Sequence, residues 1–216
     1  MAKLVLLNSR ALGTASFGPL ERELLAMGCS VERPSVAVDT PWSELPARLA
    51  DATRSCARST VVAHSGAGPL GPAVAMRIDA HALVFLDAHV PSEGGTVAPA
   101  EPEFVEHLQA IADAAGVLPP WNLWWGGDVL PLLIADPALR ELVLVDLPRL
   151  RLDWFDDELS LPEGWRDIQC RYVRLSENYE PQARVAEALG MPTTRIDGNH
   201  LTHITDPATV AAAILA

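Results

Sequence analysis

Cysteine is scarce in this chain. Cys29, Cys56 and Cys170 are three in 216 residues, odd in number, far apart and never in a Cys-x-x-Cys pair. That spacing supports neither a disulfide framework nor a zinc site, and it reads as three small buried hydrophobes in a reducing cytoplasm. Long apolar runs are also lacking: none approaches the roughly 18 residues that a membrane span requires. The opening MAKLVLLNSR has one lysine and a short apolar run without a small-residue cleavage site, so it reads as a first strand and not as a signal peptide. A cytoplasmic protein away from membranes is expected. Positive charge is in deficit, with 16 Lys and Arg against 28 Asp and Glu, a formal net charge of −12 and a pI near 4.8. Nucleic acid is excluded as a partner, because its phosphates repel such a surface. A small neutral or apolar partner fits better. There is no internal repeat and no low-complexity segment.

What is present is a globular composition, 49% hydrophobic and 20% charged, in a chain long enough for one large domain or a core carrying one insertion. Lys3 to Asn8 is a continuous apolar run of strand length, and GPLERELLAMG after it puts Leu20, Leu24 and Met27 on one helical face with Gly28 as stop. Ser30 to Val38 reads as a second strand broken by Pro34, and Trp42, Leu45, Leu49, Ala52 and Cys56 follow at helical spacing. Thr60 to His64 and Ala82 to Asp87 are the third and fourth strands, separated by a helix. Strands this apolar on both faces suit a buried parallel sheet. From Pro91 to about Asp167 the alternation stops, with helical patterns over EPEFVEHLQAIADAAG and within PPWNLWWGGDVLPLLIADPALRELVLVDLP, then a proline-bounded loop, DWFDDELSLPEGW. Alternation resumes with a strand at Gln169 to Leu175, the helix PQARVAEALG, a strand at Thr193 to Ile196, and a last helix with Asp206 as N-cap and Pro207 in its first turn. The expectation is an α/β fold with a doubly wound, mostly parallel sheet: residues 1–90 and 168–216 form the core and 91–167 an inserted α-helical cap. Ligands of such sheets bind beyond the carboxyl ends of the strands, where Ser65, Asp87, Ser176, Glu177 and Asp197 to His200 all fall.

The stretch TVVAHSGAGPL ends a strand in Ser65, flanked at minus two and plus two by Ala63 and Ala67. Small residues at those two positions let a serine sit on a strained strand-to-helix turn with its hydroxyl exposed. A serine hydroxyl is a weak nucleophile until a histidine takes its proton and an acid fixes that histidine's tautomer. The motif is Gly-x-Ser-x-Gly with alanine at both glycines; strand-ending Ser, Gly and Pro also serve as plain punctuation.

With VVAHSGAG, LVFLDAHVP, RYVRLSENYEPQ and RIDGNHLTHITDPATVAAAIL in view, nearly the whole chain resembles the α/β-hydrolase superfamily, in particular its small cap-bearing members related to plant esterases and hydroxynitrile lyases. The resemblance implies His200 as general base, with His203 as competitor. It places the acid four residues before Pro181, at Glu177, with Asn178 beside it and Asp87 as a spare candidate. It implies an oxyanion hole from the backbone of Gly66 and of the loop NSRALG, through Ser9 or Arg10. That loop lacks the His-Gly usual in relatives.

Five of the six tryptophans lie in the insertion. Most read as the core of a small subdomain, and Trp124 and Trp125 are assigned to the substrate pocket. The resulting expectation is a serine hydrolase acting on an ester or thioester of a small hydrophobic substrate, without metal or organic cofactor. Two alternatives stay open: a lyase or cyclase using the same groups without an acyl-enzyme, and a silent fold that binds a ligand. Oligomeric state is not legible.

Overall fold

The computed structural model describes residues 1–54 and 57–216. In chain order its strands are β1 (Lys3–Leu7), β2 (Ser30–Glu32), β3 (Thr60–His64), β4 (Ala82–Leu86), β5 (Thr96–Val97), β6 (Leu159–Ser160), β7 (Gln169–Arg174) and β8 (Thr193–Arg195). The α-helices are α1 (Gly18–Ala26), α2 (Leu45–Asp51), α3 (Leu70–Arg77), α4 (Pro102–Ile111), α5 (Leu130–Leu133), α6 (Pro137–Leu144), α7 (Glu180–Ala188), α8 (Thr202–Thr205) and α9 (Pro207–Leu215). Six strands form one parallel sheet in the order β2-β1-β3-β4-β7-β8, and β5 pairs antiparallel with β6 in a separate ribbon.

The strand period of two distributes the apolar runs to both faces of the sheet. Val5, Leu7, Val61, Ala63, Leu83 and Phe85 pack on one side with Trp42, Leu45 and Leu49, with Val74 of α3, and with Ala183 and Ala186 of α7. Leu4, Leu6, Val62, Val84 and Leu86 face the other side, against Leu20 and Leu24 of α1 and Val210, Ala211 and Ile214 of α9. Each fully buried Val, Leu or Phe contributes about 1.5–3 kcal/mol, so the central strands anchor the fold.

Local chemistry sets the element ends. After α1, Gly28 takes φ +83°, its N–H bonds Leu25 O, and Cys29 N–H bonds Leu24 O, a Schellman closure. Asp206 accepts from Thr209 N at the start of α9. Several expectations are corrected. Met27 lies past the end of α1 and is exposed, not on its buried face. The second strand keeps only Ser30–Glu32, because Pro34 has no N–H to offer a ladder. The helix expected to run to Gly116 stops at Ile111, where the Asp113 carboxylate accepts from Ala115 N and Val117 N and holds the chain in a turn. The loop expected at 153–165 contains β6, a strand too short to show a period, so the segment between β4 and β7 is not purely helical. In the second helix, Trp42, Leu45 and Leu49 are buried and Ala52 is exposed, while Cys56 of that stripe lies outside the described residues. Cys29 is buried and Cys170 half-buried, both as free thiols.

Two apolar clusters tie the segment between β4 and β7 to loops at the carboxyl edge of the sheet. Leu108, Leu118, Trp124, Leu150 and Phe155 enclose Ala11 from the loop after β1. Leu130, Ile134 and Val143 pack with Leu12 from the same loop and with Leu201 and Ile204 after β8.

Candidate active site

The sheet order reverses at β1: the chain leaves β1 toward β2 on one side and returns in β3 on the other, which makes the crevice beyond β1 and β3 the topological switch point. Ser65 follows β3 there, in the left-handed region at φ +59°, with Ala63 and Ala67 fully buried on either side. A non-glycine residue in that region costs on the order of 1–3 kcal/mol and persists only where its surroundings hold it. Here His89 N–H and Gly68 N–H both donate to Ser65 O. Asp87, one residue past β4, has the same handedness at φ +45°.

His200, between β8 and α8, joins the two. Its Nδ1 lies 2.7 Å from Asp87 Oδ2 and its Nε2 lies 2.9 Å from Ser65 Oγ. Asp87 is fully buried, and its carboxylate is otherwise satisfied: Oδ1 accepts from Leu175 N at 2.7 Å and Ser176 N at 3.0 Å, and Oδ2 accepts from Ser176 Oγ at 2.7 Å. A carboxylate so surrounded by donors takes the Nδ1 proton of His200 as one more donor. Nε2 is then the bare nitrogen, and it accepts the Ser65 O–H.

No family model and no curated protein matches the sequence. Solved structures do match. An extracellular α/β-hydrolase from a Paenibacillus species, described as sharing structural and functional homology with tobacco salicylic acid binding protein 2, superposes at TM-score 0.74 with 17% identity, covering 100% of this chain and 98% of the other. Polyneuridine aldehyde esterase gives 0.71 at 15% identity, and a methylesterase from Arabidopsis gives 0.67 at 14%, each over 100% of this chain and 98% of its own. The chain has the α/β-hydrolase fold.

In this α/β-hydrolase fold several rings surround His200. Tyr179 stacks on it with centroids 4.9 Å apart and planes 1° from parallel, His64 stacks at 4.6 Å, and Trp121 lies at 6.3 Å. Tyr179 Oη is 3.4 Å from Ser65 Oγ. His64 is fully buried and donates from Nε2 to His200 O at 3.2 Å, leaving Nδ1 without a partner. His203 is equally buried, 4.4 Å from the His64 ring, and neither of its nitrogens finds a hydrogen bond. Burial, and then the neighbouring histidines, hold His64 well below the ordinary imidazole range. Burial and His200 push His203 down to about 3. Both are neutral at physiological pH.

The structure assembles the sequence-derived residues unevenly. Ser65 and His200 come together, and His203 lies behind them without touching Ser65. Glu177 does not reach His200: its side chain is 82% exposed and pairs with Arg174 Nη1 at 3.1 Å. This is a correction, since Asp87 occupies the position on the imidazole that Glu177 was expected to fill. Asn178 is exposed. Ser9 lies beside Gly66, close enough that a Cβ on Gly66 would stand 3.3 Å from Ser9 Oγ, which itself accepts from Ala11 N. Arg10 turns elsewhere, donating from Nη2 to Ala37 O at 2.6 Å and lining a cavity of about 160 Å³ that Ser65 and His200 do not line. Trp124 is a core residue whose Nε1 donates to Pro119 O. Trp125 is half exposed, stacked on Phe104 and His107. Neither is at the site; Trp121, three residues earlier, is the tryptophan beside His200. Tyr179 carried no sequence signal, and Asp87 carried only its place after an apolar strand.

Proposed function

We propose that this protein is a serine hydrolase that cleaves an ester or thioester of a small hydrophobic acid. The observation that carries this reading is the continuous hydrogen-bond line from Ser65 through His200 to the buried Asp87. Ser65 Oγ attacks the acyl carbon as its proton passes to His200 Nε2, and Asp87 stabilises the imidazolium. His200 then gives that proton to the leaving oxygen or sulfur as the acyl bond breaks. In the second half it deprotonates a water that attacks the acyl carbon, and returns that proton to Ser65 Oγ as the Oγ–C bond breaks and the acid leaves. Gly66 N–H and an amide of the Ser9 loop are the proposed oxyanion donors. These steps call on no metal or organic cofactor. Trp121 beside the imidazole, and the apolar segment around it, favour a small apolar acyl group.

A fluorophosphonate probe followed by peptide mass spectrometry tests the reading without a substrate guess. Ser65 is expected to be the labelled residue, and Ser65→Ala to abolish both labelling and esterase activity. An unlabelled wild-type protein that still binds small apolar acids would favour a silent binding fold instead. Turnover of a substrate without an acyl-enzyme would favour a lyase or cyclase.

A further inference from the structure

The hydrogen-bond line fixes more than the histidine tautomer. Because Nδ1–H is directed at Asp87, Nε2 accepts, and the single proton of Ser65 is committed to it. Ser65 therefore has no proton to offer Tyr179, and across the 3.4 Å contact the phenol is the donor. The ring is held by its parallel stack on His200 and by the edge of His89 at 5.5 Å. Such a ring delivers its hydroxyl with little freedom to wander.

We propose that Tyr179 is a catalytic residue, its O–H a hydrogen-bond donor to the oxygens around the tetrahedral carbon formed at Ser65. This deepens the hydrolase reading and rests on it. As the Oγ–C bond forms, the carbonyl π pair moves onto oxygen and the Ser65 proton moves to His200. Tyr179 transfers nothing and keeps its proton throughout. Its hydrogen bond, long to Oγ in the resting site, passes to the former carbonyl oxygen bonded to the same tetrahedral carbon, where the charge develops. Two further features agree. Burial above all raises the phenol to about 12, so it remains a donor across the working range of such an enzyme. The phenol is also distinct from the proposed backbone donors, Gly66 N–H and an amide of the Ser9 loop, and adds a side-chain donor to them.

The test is Tyr179→Phe, which keeps the stacked ring and removes only the hydroxyl. Labelling rate constants with the fluorophosphonate, and kcat and KM on a short-chain activated ester, are measured for both proteins, with thermal melts as the folding control. The expected result is a variant that melts like wild type, still labels at Ser65, and loses roughly 10- to 100-fold in labelling rate and kcat with KM little changed, at or below the roughly 100- to 1,000-fold loss for one oxyanion donor. Wild-type rates in Tyr179→Phe overturn the proposal while leaving the hydrolase reading intact. A wild-type protein that does not label at Ser65 overturns both. If the phenylalanine variant melts early, both proteins are compared at a temperature well below the variant's melt, where wild-type labelling rate and kcat in Tyr179→Phe overturn the proposal.

Discussion

At the scale of single residues, Asp87 and Glu177 separate two kinds of carboxylate. Asp87 is fully buried and accepts from Leu175 N, Ser176 N, Ser176 Oγ and His200 Nδ1. Glu177 sits in solvent and is one of three carboxylates, with Glu180 and Asp197, around the buried guanidinium of Arg174. Asp87 and Glu177 both lie between Ser65 and His200 in the chain, so the order serine, acid, histidine cannot distinguish them. Asp87→Asn should leave the shape of the site and lower kcat by roughly 10⁴, because an asparagine that offers N–H to the imidazole disfavours the productive tautomer. Glu177→Gln should lie within a factor of about two of wild type. The measurement is kcat on an activated ester for both variants, and a large loss in Glu177→Gln with a silent Asp87→Asn would reverse the assignment.

At the scale of elements, the turn after β3 depends on the loop after β4 lying directly on it. A Cβ built on Gly68 would stand 2.0 Å from His89 O and 2.9 Å from His89 N and C, all backbone atoms that cannot swing aside. Gly68 has ordinary helical dihedrals, φ −48° and ψ −53°, so alanine there gains up to about 1 kcal/mol of helix propensity. The clash outweighs that gain, since overpacking costs about 1–3 kcal/mol even where side chains can shift. Gly68→Ala should therefore lower the urea midpoint and also slow labelling of Ser65, whose carbonyl bonds His89 N–H across the same contact. A variant as stable as wild type with unchanged labelling would show that the loop yields. The same element scale explains why Trp121 and not Trp124 meets His200: in the single 3-10 turn Trp121–Leu123, too short for a readable period, phase is set by Trp124 burying itself among Leu108, Leu118 and Leu150.

At the scale of the whole molecule, a buried histidine couples the site to acid stability. His203 has a folded pKa of about 3, below the ordinary imidazole value of 6.5 that the unfolded chain regains. The unfolded state therefore binds a proton first as pH falls, so stability present above about pH 6.5 is lost between there and about pH 3. Moving from pH 7.5 to 5 should remove about 2 kcal/mol through this residue alone. His203→Leu, which also removes two unpaired buried nitrogens, should lose correspondingly less stability over that interval. Urea unfolding of both proteins at the two pH values checks this, and equal losses would contradict it. His64, depressed by the same burial, acts in the same direction and remains in both proteins.

The sequence by itself determined the layered sheet and its edge. Val61 to Ala63 and Ala82 to Leu86 are apolar at every position, a pattern that requires burial on both faces and hence a parallel sheet covered by helices. Ser65 with small neighbours was readable because its turn depends on contacts local in sequence, and His200 through the resemblance of RIDGNHLTHITDPATVAAAIL to the α/β-hydrolase superfamily. Tertiary structure alone decided which carboxylate meets the imidazole and which rings enclose it. That outcome depends on β4 lying between β3 and β7, which brings Asp87 against Leu175 and Ser176 at the sheet's centre, while Glu177 begins a 3-10 turn that carries it out to solvent. Distances across 113 residues, as between Asp87 and His200, are set by strand order and packing, and a linear pattern has no access to either.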